Sequence, residues 1–207
     1  MDYYFAGGLF SHKELIGNHL LAKAIETRSH GRFRALLPQD GPECSDKPLE
    51  VRDDDFSLIL RSDLALFNFD GDDVDSGTAA EFVAARVLDL PCVLLRTDFR
   101  PAGFPNADGV PWNLMMSGWP RTASLWKSLL PDYTETKGDL EAFYARLADE
   151  TVSLMEKAWA TPPRLATVEE ALPIYRHWIA VCGGTLAERF PEDVLRTLLT
   201  EKFARRP

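Results

Sequence analysis

The sequence predicts an α/β fold: an open parallel β-sheet flanked by helices, with a C-terminal helical extension. Short apolar runs alternate with segments of helical periodicity, and this alternation is typical of parallel strands joined by right-handed crossovers. One run, residues 91–95, is apolar throughout, as expected for a strand that is buried on both faces. A Pro-Pro pair at positions 162–163 then separates the alternating part from two further helical patterns.

The first half of the chain contains four predicted strands, and a helix follows each of the first three. The first strand ends at a Gly-Gly pair, which is typical of a strand that brings its backbone close to another group. Ser11 is a suitable N-cap for the first helix. In chain order the predicted elements are strand 3–6, helix 12–28, strand 34–37, helix 48–62, strand 64–69, helix 78–88 and strand 91–95.

The second half is less regular. A loop that contains Pro and Gly runs from residue 97 to about 111, and long loops at the edge of a sheet are often functional. The pattern between residues 121 and 130 does not define the position of a fifth strand. A helix at 138–159 is expected to close the core, and patterns at 168–181 and 191–203 predict a helical hairpin. We therefore divide the chain into a catalytic domain, residues 1–160, and a helical extension, residues 161–207.

Length and composition exclude several classes of protein. The 207 residues suffice for one α/β domain with an appendage. A formal net charge of −9 argues against a nucleic-acid partner, which would need clustered basic residues. No run of 18 apolar residues and no signal-peptide pattern occurs, and the three cysteines match no zinc or redox spacing. We expect a cytoplasmic protein without membrane association.

The most informative stretch runs from the third strand into a cluster of carboxylates, a glycine turn and a helix. Ligands of open α/β sheets bind outside the carboxyl ends of the strands, where helix N-termini also point. Glu81 is expected in the first turn of the helix after this strand. The sequence therefore predicts a carboxylate at the ligand-binding edge of the sheet, where it could react with a bound ligand.

Two alternatives apply to the same stretch. Thr78 and Glu81 have the spacing of a capping box, which would give Glu81 a structural role at the helix start. Asp70, Asp72 and Glu81 also fall at the first, third and twelfth positions of a calcium loop. That pattern fails at the fifth position, which is Val74, and at the sixth, which lacks the required glycine.

A second carboxylate is predicted to point towards the sheet. In the helix at 48–62, Asp55 shares a side with Leu58 and Ile59, whereas the neighbouring acids are expected to be solvated. A carboxyl group held close to another one is pushed towards its neutral form. Such a group is a candidate general acid.

Several segments, taken together, resemble a known family. They occur in this order: Tyr4–Phe10, Leu37–Gln39, Asp63, Asp75–Glu81, Arg96–Arg100 and Asn113–Met115. The ordered set resembles the nucleoside 2-deoxyribosyltransferase family over roughly residues 3–117. Residues 118–207 carry no such likeness.

The resemblance implies a compact flavodoxin-like (Rossmann-like) fold and an exchange in two steps. A glutamate attacks the anomeric carbon of a 2′-deoxynucleoside, one nucleobase leaves and another returns, with no metal or organic cofactor. By position, Glu81 matches the nucleophile, Asp75 and Asp55 match the acids that handle the nucleobase, and Tyr4 matches a tyrosine beside the nucleophile.

The substrate-binding candidates come partly from the resemblance and partly from the residue types. Asn113 matches a residue that binds the 5′-hydroxyl of the sugar and that, in the family, is supplied by a neighbouring subunit. The resemblance therefore implies a homo-oligomer with shared active sites. Gly7 would allow close approach to the sugar, and Phe10 and Trp112 could sandwich a base. The ordinary structural alternatives are a strand-exit turn for Gly7, a helix cap for Asn113, and core packing for the aromatic residues, Tyr4 included.

The implied chemistry sets electrostatic requirements. Glycosidic cleavage passes through an oxocarbenium-like transition state that a carboxylate can stabilise and then bond to, so Glu81 must be ionised. The positive end of its helix would favour that form. The departing base needs a proton, which Asp75 or Asp55 could donate. The alternatives are a nucleoside or nucleotide N-glycosidase that uses the same glutamate, and a non-catalytic nucleoside- or calcium-binding module.

Overall fold

The computed structural model of the chain describes residues 1–41, 47–98 and 113–206. Within them, the strands are β1 Asp2–Gly7, β2 Arg34–Leu36, β3 Leu64–Asn68, β4 Cys92–Arg96 and β5 Thr122–Trp126. They form one sheet in the order β2-β1-β3-β4-β5, and every neighbouring pair is parallel. This is the flavodoxin-like order, and the predicted fold class is confirmed.

Helices cover both faces of the sheet and continue into the extension. Their bounds are α1 His12–Arg28, α2 Pro48–Arg61, α3 Ser76–Val87, α4 Leu130–Thr136, α5 Leu140–Ala160, α6 Val168–Cys182, α7 Leu186–Arg189 and α8 Glu192–Ala204. The longer helices match the predicted patterns within a few residues. The sequence pattern did not indicate α4 and α7, which at seven and four residues are too short for an apolar stripe to show.

Alternation along β1 divides the core into two clusters. Tyr3 and Phe5 face one side, where they pack with residues of α1 and α5. Tyr4 and Ala6 face the other side, where α2 and α3 lie. That second cluster also contains residues of the extension: Ala171, Leu172, Tyr175, Trp178, Ile179, Leu186, Leu195 and Leu199. The extension therefore shares a hydrophobic cluster with the sheet, while the division at residue 160 stays a prediction.

The strand order reverses between β1 and β3, and this point positions the site. Gly7, at the end of β1, lies opposite Asn68, at the end of β3. A Cβ on Gly7 would lie 3.1 Å from the Asn68 Cβ, so a larger residue there would have to push the two strand ends slightly apart. Ligands of open α/β sheets bind in the crevice at such a reversal.

None of the helices in the described parts of the chain combines the length and the apolar character needed to cross a membrane.

Candidate active site

A hydrogen bond between β1 and α3 forms the centre of the candidate site. The Tyr4 hydroxyl donates to Oε1 of Glu81 at 2.8 Å. Tyr4 is fully buried, and its ring lies edge-on to Phe67 of β3. Because β1 holds the ring and α3 carries the carboxylate, packing fixes the orientation of Glu81 near the reversal of the sheet.

The start of α3 differs from the sequence prediction. Asp75 is the N-cap, and its Oδ2 accepts from the Thr78 backbone N–H at 2.7 Å and from the Thr78 hydroxyl at 2.8 Å. The prediction of a Thr78–Glu81 capping box is therefore wrong. Glu81 is the sixth residue of the helix, in its second turn rather than its first. Asp75 fits the capping preference as well as Thr78 does, and it satisfies the helix start three residues earlier.

Burial dominates the electrostatics of Glu81. The pKa of Glu81 is raised to about 8, because desolvation and the charges of Asp55 and Asp75, which raise it, together outweigh the Tyr4 hydrogen bond, which lowers it. Because Glu81 lies more than a turn from the helix start, the positive helix end stabilises its charge less than a first-turn position would, and burial raises its pKa. The raised pKa favours the protonated form of the Glu81 carboxyl group near neutral pH.

Asp55 lies half-buried on α2, as its sequence position predicts. Burial and then the charge of Asp54 raise the pKa of Asp55 to about 6. The charge of Asp55 in turn raises the pKa values of both Glu81 and Tyr4, so the three groups lie within electrostatic range of each other. Together with Asp75, they form a cluster of three carboxyl groups and one phenol.

The expectation that the acids beside Asp55 are solvated is wrong for Asp53. Asp53 is fully buried, and its Oδ2 accepts from the Thr185 backbone N–H and hydroxyl. Asp54 pairs with Arg189 at 2.5 Å. Both partners belong to the extension, and a local sequence pattern cannot reveal that it covers this side of α2.

The geometry of a calcium loop is not formed. Asp70 accepts from the Thr97 backbone N–H, the Thr97 hydroxyl and the Asp98 backbone N–H, and so links the ends of β3 and β4. Glu81 is bonded to Tyr4 instead of turning towards this loop. Among the residues described, no group of three or more His, Cys, Asp or Glu side chains could hold a metal ion.

The predicted substrate-binding residues occupy different places. Gly7 lies at the end of β1, beside the site, whereas the side chain of Phe10 is 82 % exposed. Asn113 caps a short 3₁₀ helix, Leu114–Met116, and its Oδ1 accepts from the Met115 backbone N–H at 2.9 Å. Trp112 lies outside the described residues. The roles of these residues stay predictions.

One structural residue of the site edge was not recognised from the sequence. Arg96, the last residue of β4, is buried and donates to the backbone oxygens of Phe69 and Gly71. It thereby holds the segment that leads from β3 towards Asp75. A charged residue at the end of a wholly apolar strand was the available signal, because a buried arginine needs such acceptors.

Comparison with known proteins gives one family and several similar structures. The family model described as nucleoside 2-deoxyribosyltransferase matches residues 3–115. Among curated proteins, none matches the chain.

Three solved structures are similar. A conserved protein from Enterococcus faecalis V583 is 22 % identical, with a TM-score of 0.49 and coverage of 75 % of this chain and 97 % of that one. A 2-deoxyribosyltransferase from Bacillus psychrosaccharolyticus is 19 % identical, with a TM-score of 0.45 and coverage of 61 % and 85 %. A 2-deoxyribosyltransferase from Leishmania mexicana is 21 % identical, with a TM-score of 0.47 and coverage of 65 % and 95 %.

The family model spans more than half of the chain, and the matched segment contains the sheet reversal and all four members of the carboxyl–phenol cluster. This chain belongs to the nucleoside 2-deoxyribosyltransferase family.

Proposed function

We propose that the protein transfers 2-deoxyribose between the nucleobases of 2′-deoxynucleosides through a covalent deoxyribosyl-glutamate at Glu81. The observation that carries the proposal is the hydrogen bond from Tyr4 to Glu81, with Asp55 and Asp75 in electrostatic range of the same carboxyl group. Membership of the family supports the choice of substrates, which are nucleosides and free nucleobases.

The first step breaks the glycosidic bond. One carboxylate oxygen of Glu81 bonds to C1′ of the sugar, and the electron pair of the C1′–N bond leaves with the base. The base takes a proton from a carboxyl group. In the second step another base attacks C1′, the ester bond to Glu81 breaks, and the incoming base returns a proton to the same carboxyl group.

Asp55 is the better candidate for the proton donor. Its raised pKa of about 6 keeps it close to the range in which a carboxyl group can exchange protons near neutral pH. Asp75 has its Oδ2 committed to the start of α3, through the backbone and hydroxyl of Thr78. We assign Asp75 to holding the helix that carries Glu81 and to adding negative charge to the site.

The raised pKa of Glu81 fits this mechanism when the pair is considered as a unit. With pKa values of about 8 for Glu81 and about 6 for Asp55, the two groups together hold one proton near pH 7. The reactive form has that proton on Asp55 and the charge on Glu81. A sugar that develops positive charge at C1′ favours this distribution, because an adjacent cation stabilises the carboxylate.

We further propose that the sites are shared between copies of the chain in a homo-oligomer. Asn113 lies in a surface turn whose next two residues, Leu114 and Met115, are 59 % and 74 % exposed. Two adjacent exposed apolar side chains favour burial against another protein surface. In a second copy, the Asn113 side-chain amide could then reach the sugar of the neighbouring site.

Incubation with thymidine and adenine, followed by chromatography, tests the proposed activity. Transfer yields deoxyadenosine, and Glu81→Gln should abolish it. The exposed Glu141 of α5 provides a control, since Glu141→Gln should leave the rate unchanged. Free thymine without deoxyadenosine would instead indicate an N-glycosidase, and the absence of both products would contradict the proposal for this substrate pair.

A further inference from the structure

The outer side of α2 is held by the extension near Asp55. Asp53 of α2 is buried, and its Oδ2 accepts from the Thr185 backbone N–H at 2.6 Å and from the Thr185 hydroxyl at 2.9 Å. Its Oδ1 accepts from Arg52 at 2.6 Å. Thr185 directly precedes α7, so a buried carboxylate joins the extension to the helix that carries the proposed general acid.

The residues on either side of Asp55 make further contacts with the extension. Asp54 pairs with Arg189 of α7 at 2.5 Å. Phe56 lies edge-on to Trp178 of α6, with ring centroids 5.1 Å apart. Each neighbour of Asp55 is therefore fixed from outside the sheet.

Asp55 itself turns towards the site. Residues two apart on a helix point about 200° apart, so a helix that presents Asp53 to the extension presents Asp55 to the opposite side. Among the described residues, the groups whose charges interact with Asp55 are Asp54 on its own helix, Glu81 on α3 and Tyr4 on β1.

A second anchor holds the C-terminal end of α2. Lys202 of α8 is buried and donates from Nζ to the backbone oxygen of Leu60 at 2.9 Å. Arg205 pairs with Asp63, just beyond the helix, at 2.9 Å. Because α2 is held at its middle, through Asp53, and at its C-terminal end, it can neither slide along the sheet nor rotate without breaking buried hydrogen bonds.

We infer that the extension positions Asp55 for catalysis, with Gly184 and Thr185 as the positioning residues that act through Asp53. The inference rests on the proposed function, because it assumes that Asp55 donates the proton. Misplacement of a catalytic group by about 1 Å can lower a rate about 100-fold. Loss of the contacts that anchor α2 should therefore lower kcat as well as stability.

Two adjacent glycines offer a test. Gly183 and Gly184 have φ values of +66° and +65°, a backbone conformation that disfavours alanine at both positions. A Cβ on Gly184 would fall less than 3.0 Å from both carboxylate oxygens of Asp53, whereas a Cβ on Gly183 would meet nothing within 4 Å. Gly184→Ala should therefore disrupt the contacts between Asp53 and the extension. Gly183→Ala should strain the backbone without touching Asp53.

The measurements are kcat and KM for deoxyribosyl transfer, together with the pKa of Asp55 from carboxyl ¹³C NMR. For Gly184→Ala we expect kcat to fall at least about tenfold relative to Gly183→Ala, with a smaller change in KM. The pKa of Asp55 should fall from about 6 towards its ordinary value as burial is lost. Gly183→Ala should keep the wild-type kcat and the wild-type pKa of Asp55.

A second pair of variants keeps the test decisive if Gly184→Ala does not fold. Thr185→Val removes the hydroxyl donor to Asp53 and Thr185→Ser retains it. We expect a lower kcat and a lower pKa of Asp55 in the valine variant, and recovery of both in the serine variant.

The inference is overturned if the folded Gly184→Ala and Thr185→Val proteins keep the wild-type kcat and the wild-type pKa of Asp55. An Asp55→Asn variant shows which claim has failed. If Asp55→Asn is inactive while those variants are fully active, only the positioning role falls. If Asp55→Asn transfers deoxyribose at the wild-type rate, the proposed role of Asp55 falls, and this inference falls with it.

Discussion

At the scale of single residues, Glu81 and Asp55 share one proton between two partly buried positions. Their pKa values of about 8 and about 6 leave the pair singly protonated between these limits. Below this range Glu81 cannot act as a nucleophile, and above it Asp55 cannot protonate the base. We therefore expect a bell-shaped dependence of kcat/KM on pH, with its maximum near 7, measured with thymidine and adenine.

The Tyr4 hydroxyl should shift the alkaline limb of this profile. Its hydrogen bond lowers the pKa of Glu81, so Tyr4→Phe should move the limb to higher pH. It should also reduce kcat/KM by about 10- to 100-fold, since a hydrogen bond to a charged group contributes about 1.5–3 kcal/mol. Tyr3→Phe is the matched control, because the buried Tyr3 hydroxyl has no hydrogen-bond partner in the described residues. Equal profiles for the two variants would contradict the role of Tyr4.

Glu81 should also affect stability in a pH-dependent way. Folding raises its pKa from an ordinary value of about 4.3 to about 8, so the folded state favours the protonated form. That contribution is complete below pH 4.3 and is lost as the pH rises through 8. Glu81→Gln keeps a neutral side chain throughout. The Tm of the variant should therefore match the wild type near pH 4.5 and exceed it by at least about 3 °C at pH 9.

Differential scanning fluorimetry across this pH range measures the effect. Glu141→Gln, at an exposed position, should follow the wild type at every pH. A difference in Tm between Glu81→Gln and wild type that stays the same at every pH would show that folding does not raise the pKa of Glu81.

At the scale of elements, α3 depends on Asp75. Asp75→Ala removes the N-cap and should lower the free energy of unfolding by about 1 kcal/mol. Asp75→Asn keeps a capping acceptor but removes the charge. It should retain most of the stability, while the alkaline limb of the pH profile moves to lower pH, because the charge of Asp75 raises the pKa of Glu81. Denaturant unfolding and the kcat/KM profile distinguish the two effects. An Asp75→Asn protein as destabilised as Asp75→Ala would contradict the capping account.

The elements themselves were largely predictable because their signals are local. The apolar run of β4 and the periodicity of α1, α5, α6 and α8 are properties of short windows of sequence. The cap of α3 was not predicted correctly, since Asp75 and Thr78 both suit an N-cap and only the end of the preceding loop decides between them. β5 was not placed because its five residues, Thr122–Trp126, mix polar and apolar character at the edge of the sheet.

At the scale of the whole molecule, the site is completed by contacts that no window of sequence contains. Tyr4 and Glu81 are 77 positions apart, and Thr185 is 132 positions from Asp53. The resemblance to the family predicted that Tyr4 lies beside Glu81. The second involves the extension, where the sequence shows no likeness, so the burial of Asp53 could not be predicted.

Mixing two inactive variants tests the proposed sharing of sites between copies. Glu81→Gln and Asn113→Ala should each be inactive alone. If Asn113 serves the neighbouring site, a mixed dimer has one intact site and one site with both defects. Refolding equal amounts together should then restore about a quarter of the wild-type activity. No recovery, with mixed oligomers confirmed by native mass spectrometry, would contradict shared sites.

The central claim is that Glu81 forms a bond to the sugar, and trapping that bond tests it most directly. The protein is incubated with thymidine without an acceptor base, quenched in acid, digested and analysed by tandem mass spectrometry. The account predicts that the peptide containing Glu81 gains the mass of one deoxyribosyl group, that the modification maps to Glu81, and that adenine added before quenching removes it. An adduct on another residue, or transfer at the wild-type rate by Glu81→Gln, would contradict the claim.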